Sequence, residues 1–303
     1  MKRKLVKQGA ATLMISLPSK WTKQFNLKKG DEIDIEEKGK NIVIGTQPSK
    51  EIKKAKINIS EFKHVWRRVI SALYKAGYDE IQINFEKSDE ITKVYSVLQE
   101  FIGFEIISQS QDGCVIKEIA ETKETDFQTI FNRTFSILLS IAEDCAGALK
   151  SRNASLLGTI PERDLIVNKY ANFCRRIINK GMVEQNESPM LYFIIEGLET
   201  MGDVYKGFAK HLFETKSIPN NKIIKSFEEI NQSLADFRSL SVKFEKQKIV
   251  KFTEKWEELK KNVDELAKTK SVPEAKTISY ISEMLQLLDS LVGPLLILNS
   301  GNL

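Results

Sequence analysis

The chain has few of the residues on which covalent and metal chemistry usually rests. Its 303 residues include three cysteines, Cys114, Cys145 and Cys174, far apart and in no CxxC pattern. That argues against a disulfide frame or a zinc site and points to free thiols in a reducing cytoplasm. Histidine occurs twice, at His64 and His211, and there is no Ser or Cys nucleophile motif and no HExxH, so no enzyme is expected. His64, beside Trp66 and Arg67 in a predicted helix, and His211, near a helix end where a cation favours the dipole, both read as structural. No charged n-region, apolar h-region and small-residue cleavage site opens the sequence, and a secretory signal is not expected. The longest apolar stretch, Ile278 to Leu298, is interrupted by Glu283, Gln286 and Asp289. A bilayer-spanning helix there would bury charge in hydrocarbon, so a core helix is predicted instead.

A further absence is local: the first 29 residues contain no Asp or Glu, while they carry eight Lys or Arg. The net charge of the whole chain is only +5, and the other 274 residues hold 38 basic against 41 acidic side chains. Basicity is therefore concentrated at one end. A dense cationic segment is the electrostatic footprint of a phosphate-backbone binder, because each docked Lys or Arg releases counterions condensed on DNA. A solvated basic face or a membrane-surface patch is the alternative. Length and a 42% hydrophobic, 29% charged composition predict two or three globular domains able to bury real cores.

The N-terminal 46 residues turn quickly. Lys4 to Lys7 and Thr12 to Leu17 have strand periodicity, with Leu13, Ile15 and Leu17 on one face. Pro18 presets the first turn of a short helix carrying Trp21 and Phe25, which Gly30 is expected to end after Leu27. Two more strands, Glu32 to Glu36 and Asn41 to Ile44, are expected to join through Glu37-Lys38-Gly39-Lys40, whose glycine suits a hairpin. So small a unit cannot bury its own apolar faces, which predicts dimerisation.

Val6-Lys7-Gln8-Gly9, Ile15-Ser16-Leu17-Pro18-Ser19-Lys20-Trp21 and Leu27-Lys28-Lys29-Gly30-Asp31-Glu32-Ile33 run in the order of an AbrB/SpoVT-type domain. Gly9-Ala10-Ala11-Thr12 is a looser match. The resemblance implies an intertwined dimeric barrel of swapped hairpins that binds DNA, and it maps DNA contacts onto Arg3, Lys4, Lys7, Lys20 and Lys23, to which charge adds Lys2. Lysine predominates in this set and reads guanine less well than arginine, so backbone positioning and shape readout are expected to dominate.

From Lys53 to Glu121 an α/β rhythm follows. Strands are predicted at Ala55 to Ile59, Glu80 to Phe85, Phe104 to Ser108 and Cys114 to Ile119, helices at Phe62 to Ala76 and Ser88 to Phe101, and a hairpin turn at Gln111-Asp112-Gly113. No phosphate-cradling glycine loop is present, which leaves a scaffold or dimer role. The segments Ala76-Gly77-Tyr78-Asp79-Glu80-Ile81 and Ile102-Gly103-Phe104-Glu105-Ile106-Ile107 resemble the middle region of archaeal phosphate uptake regulators, which fuse an AbrB-type domain to a PhoU-like one.

The remaining 180 residues read as six helices, with breaks near Gly158 to Pro161, Gly181 to Pro189, Ser217 to Asn221, Lys246, and Lys270 to Pro273. Apolar residues recur in alternating steps of three and four in Leu191 to Leu212, Ile249 to Leu266 and Ile278 to Leu295, the seam of left-handed bundles. Aligning Asp203 with Asp289 reveals a weak internal repeat, hence two three-helix units. Tandem three-helix bundles are the architecture of PhoU, and Gly197-Leu198-Glu199-Thr200-Met201-Gly202-Asp203 resembles that family's third helix. The expected fold is thus α+β multidomain: a swapped-hairpin β-barrel over 1–47, a small α+β connector over 52–121 and an all-α PhoU-like domain over 124–300, with repeats over 124–215 and 220–298.

Glu199 and Asp203, at i and i+4, project from one strip of helix. The PhoU resemblance implies acidic pairs on adjacent helices that hold metal, which pairs them with Asp164 and Asn168 of the preceding helix. Such oxygen ligands suit a divalent ion and can take iron. Asn168 is one carboxylate short of the pattern, and the second repeat keeps only Asp289. Together these readings predict a cytoplasmic, homodimeric DNA-binding regulator, by resemblance one of phosphate uptake, whose partners are double-stranded DNA and a phosphate transporter component or other regulatory protein. The alternative is a PhoU-like protein that docks on a transporter or kinase without specific DNA binding. An antitoxin is a third reading, against which the long folded bundle argues.

Overall fold

The computed structural model describes residues 2–9, 11–38, 41–46, 52–120, 122–123, 126–269 and 271–303. The chain forms two compact units, Met1–Ile52 and Lys53–Leu303. The expected boundaries at 47, 121 and 124 fall outside the described residues, as do Ala10, Gly39 and Lys40 of the two predicted N-terminal turns.

The first unit has two antiparallel ribbons and one short helix. Strands β1 (Val6–Gln8) and β2 (Thr12–Met14) pair Val6 with Met14 and Lys7 with Leu13. Helix α1 (Ser19–Gln24) follows Pro18, whose φ of −64° continues into a helical turn. It ends at Gln24, three residues before the expected end at Leu27, because Asn26 takes a left-handed φ of 50°. Asparagine tolerates that conformation, which closes the helix as a glycine would. Strands β3 (Ile33–Lys38) and β4 (Asn41–Thr46) form the second ribbon. Among the described residues the two ribbons share no sheet, so a single chain closes no barrel. No described side chain in this unit is buried, while Leu5, Val6, Leu13, Ile15, Ile35 and Ile42 are each more than half exposed.

The second unit opens with a four-stranded sheet of order β5-β6-β8-β7, where β5 is Lys54–Asn58, β6 Glu80–Asn84, β7 Phe104–Gln109 and β8 Gly113–Glu118. β5 and β6 run parallel through a right-sized crossover and the other neighbours are antiparallel. The crossover is not one helix: a 3₁₀ segment, Ile59–Val65, kinks at Lys63 (φ 43°) before α2 (Trp66–Lys75). Likewise a 3₁₀ turn, Ser88–Glu90, leads into α3 (Ile91–Leu98). Ile70, Tyr74, Ile81, Ile83, Val94, Val97, Phe101, Phe104 and Ile116 form the core between sheet and helices.

Six long helices follow: α4 (Asp126–Lys150), α5 (Ile160–Asn179), α6 (Ser188–Thr215), α7 (Asn221–Val242), α8 (Lys246–Leu266) and α9 (Val272–Leu298). α4, α5 and α6 pack mutually, as do α7, α8 and α9, and α6 against α9 with α4 against α7 joins the two triplets. The predicted seams point inward: Ile194, Leu198, Met201, Tyr205, Phe208 and Leu212 are buried on α6, and Ile278, Ile281, Leu285, Leu288 and Leu295 on α9. Among the described residues α9 is also the one helix long and apolar enough to cross a bilayer, with a mean hydropathy of 1.5. It uses that apolarity to pack on α6, α7 and α8.

Candidate functional site

Two constellations stand out. The first is the cationic N-terminus, where Lys2, Arg3 and Lys4 precede β1, Lys7 lies within it across from Leu13, and Lys20 and Lys23 sit three residues apart on one side of α1. All six are exposed, and none is held in an ion pair by a described side chain. Trp21 and Phe25, with ring centroids 5.5 Å apart, prop the helix that carries Lys20 and Lys23. Long exposed cations on a small apolar scaffold have the reach and charge for phosphate groups.

The second constellation lies between α5 and α6. Asp164 is fully buried on α5, and Gly202 of α6 faces it so closely that an added Cβ would stand 2.8 Å from Asp164 Oδ1. Asp164 Oδ2 accepts hydrogen bonds from Lys206 Nζ at 2.7 Å and from Asn168 Nδ2 at 3.3 Å. The same ammonium also binds the carboxylate of Asp203, one turn before it on α6. Burial pushes the Asp164 pKa upward against the pull of Lys206. Burial disfavours the Lys206 charge, yet its bonds to the two carboxylates prevail and raise its pKa. Of the four residues expected around a metal, Asp164 and Asp203 thus meet at Lys206, and Asn168 joins through Asp164. Glu199 does not join them, since its carboxylate accepts from Arg175 at 2.9 Å. Among the described residues no three His, Cys, Asp or Glu side chains are grouped to hold a metal ion. The fourth ligand is thus engaged elsewhere and a fixed cation stands at the meeting point, so these residues as arranged do not fit a divalent ion.

Arg175 and Arg176 carried no role in the sequence reading, although two guanidiniums inside Ala171 to Ile178 were a visible signal. That stretch of α5 is buried all round, and a charge so placed must find partners. Arg175 pairs with Glu196 at 3.1 Å as well as Glu199. Arg176 turns the other way, to the sheet domain: it donates to the carbonyls of Tyr74 and Tyr78, to Asp79 at 3.0 Å and to Glu118 at 2.8 Å. Its guanidinium also lies 5.1 Å from the Tyr74 ring and 4.9 Å from that of Phe104. Lys180 binds the same two carboxylates at 2.7 and 2.9 Å. Gly77, at φ 82°, makes room for it, as a Cβ there would meet Lys180 Cγ at 2.9 Å. Arg176 and Asn179, which donates to the Lys75 carbonyl, satisfy the last carbonyls of α2.

The groups considered for catalysis are quiet. All three cysteines are buried and free, and burial pushes Cys145 and Cys174 up to about 12, away from the reactive thiolate. His211 meets the Pro273 carbonyl at 3.1 Å, tying α6 to the start of α9, and His64 is exposed in the kinked segment.

Residues 6–54 match the family described as antidote-toxin recognition MazE, bacterial antitoxin. Among solved structures, the phosphate transport system regulatory protein PhoU from Streptococcus pneumoniae is similar, with a TM-score of 0.52 and 16% identity over 59% of this chain and 95% of that one. No curated protein sequence matches. The chain therefore joins a MazE/AbrB-like N-terminal domain to a PhoU-like helical fold. At this identity the second likeness is one of fold. Both descriptions are of regulatory rather than catalytic proteins.

Proposed function

We propose that this protein is a cytoplasmic, homodimeric, DNA-binding transcriptional regulator, without enzymatic activity, that acts on phosphate uptake through a PhoU-like sensing or interaction domain. The observation that carries the reading is the exposed set Lys2, Arg3, Lys4, Lys7, Lys20 and Lys23 on a MazE/AbrB-like scaffold. Dimerisation is supported by the first unit, in which no described side chain is buried and whose exposed leucines and isoleucines a second copy would cover. Two copies present about twelve cations. Engagement of six to ten phosphates would weaken binding by roughly 10³ to 10⁵ between 50 and 200 mM salt. The phosphate connection rests on the fold likeness.

Fluorescence anisotropy against the protein's own upstream DNA and a scrambled duplex, across a salt series, tests the reading. Tight, salt-steep binding that Arg3→Ala and Lys7→Ala weaken is expected. Flat traces on both duplexes would transfer the proposal to a second reading, a protein that modulates a phosphate transporter or kinase by contact alone. That reading has in its favour that the structural neighbour is described as a phosphate transport system regulatory protein. Toxin neutralisation is disfavoured, because such tails are short and disordered alone whereas a folded six-helix unit follows here.

A further inference from the structure

The acidic cluster between α5 and α6 has an oxygen-rich but incompletely used interior. Asp164 Oδ1 and Asn168 Oδ1 are both buried and have no hydrogen-bond donor among the described residues. Beside them the ammonium of Lys206 bridges the other oxygen of Asp164, Oδ2, at 2.7 Å and the Asp203 carboxylate. Hard oxygens of this kind are a divalent cation's ligand set, but a second cation cannot enter beside an ammonium without strong like-charge repulsion. Gly202 keeps the helices close enough for Lys206 to reach across, since any side chain there would collide with Asp164 Oδ1.

We infer that Lys206 is a built-in cation: this chain neutralises its α5–α6 acidic cluster with its own ammonium, holds those helices together without metal, and becomes a divalent-cation site only when that ammonium is removed. The effector of the helical domain is then not a metal ion at this position. The inference rests on the PhoU-like fold and not on DNA binding, so its test reads metal and leaves the anisotropy result independent.

The test is titration of the full-length protein with Mn²⁺, followed by calorimetry and by the thermal midpoint with and without chelator. The native protein is expected to take up no Mn²⁺ at this cluster and to keep its midpoint in chelator, and Lys206→Arg to behave alike. Lys206→Met is expected to bind one Mn²⁺ per chain, with a midpoint that rises with metal concentration, and to lose both properties when Asp164→Asn is added. Should Lys206→Met fail to fold with or without metal, Lys206→Gln takes its place. Stoichiometric Mn²⁺ binding by the native protein that Asp164→Asn abolishes would overturn the inference. A folded Lys206→Met or Lys206→Gln variant indifferent to Mn²⁺ would overturn it too.

Discussion

A guanidinium withdrawn from water must recover what it loses, and Arg176 does so with two carboxylates, two carbonyls and two aromatic rings. Removing one member of such a buried set leaves the others uncompensated, so Arg176→Ala is expected to cost about 3–5 kcal/mol in urea unfolding of the full chain. Burial works against the charge of Asp79, yet Lys180 and the Lys53 amide hold its pKa down, at about 2 against an ordinary 3.8. A depressed carboxylate contributes stability that is complete above its unfolded pKa and is lost as pH falls toward the folded value. The Asp79 contribution should therefore be constant from neutral pH down to about 4 and fade toward pH 2. Unfolding midpoints of the native protein and Asp79→Asn should converge over that window, and parallel profiles down to pH 2 would contradict the assignment. Sequence reasoning noticed neither Arg175 nor Arg176, because their partners, on the next helix for Arg175 and 58 to 102 residues away for Arg176, are set by the fold and not by local spacing.

Helices were the most legible elements. Six were expected, and the structure ends them at Lys150, Asn179, Thr215, Val242, Leu266 and Leu298, because the three-four apolar rhythm lapses between them, with Gly, Pro or Asn in the first three breaks. Less legible was α1, where Asn26 rather than Gly30 supplied the left-handed residue. The order β5-β6-β8-β7 was not legible either, since strand pattern reveals which face is buried but not which strand lies beside it. For the acidic strip, spacing put Glu199 and Asp203 on one face of a helix and the PhoU resemblance paired them with Asp164 and Asn168, but the rotamers that send Lys206 to Asp164 and Asp203 and Glu199 to Arg175 are properties of packing. Close packing of helices gives paired predictions at the glycines. Gly202→Ala should overpack the α5–α6 contact, where Val167 Cγ1 also lies 3.2 Å from the added carbon, and cost about 1–3 kcal/mol. In α9 Gly293 has nothing within 4 Å of its missing Cβ, so Gly293→Ala should stabilise by about 0.4–1 kcal/mol through the unfolded chain. Calorimetric midpoints that moved in the same direction would undo this contrast.

At the scale of the molecule, the two units differ in what one chain can accomplish. Residues 53–303 bury a continuous core, whereas in the first unit Leu13, Ile35 and Ile42 remain 62%, 62% and 64% exposed. The small size of that unit made the need for a partner legible in the sequence, whereas single-chain geometry leaves the unit open; the proposed second copy would supply the missing surface. Light scattering should give twice the chain mass for the full protein, and Leu13→Asp with Ile35→Asp should halve it while leaving unfolding of the helical region unchanged. In such a dimer, Lys7→Ala removes two phosphate contacts, so the slope of log K against log salt should shrink by about 2.

The sheet domain and the bundle share one compact unit, and the residues that join them are made at different times. Asp79 and Glu118 leave the ribosome 97 and 58 residues ahead of Arg176, their common partner. Until α5 has emerged, the nascent sheet carries two neighbouring carboxylates with no buried counter-charge, and the carbonyls at the end of α2 have no donor from Arg176 or Asn179. The domain translated earlier is thus completed by the one translated later, so a chain stopped before α5 holds a sheet that can form but cannot be finished.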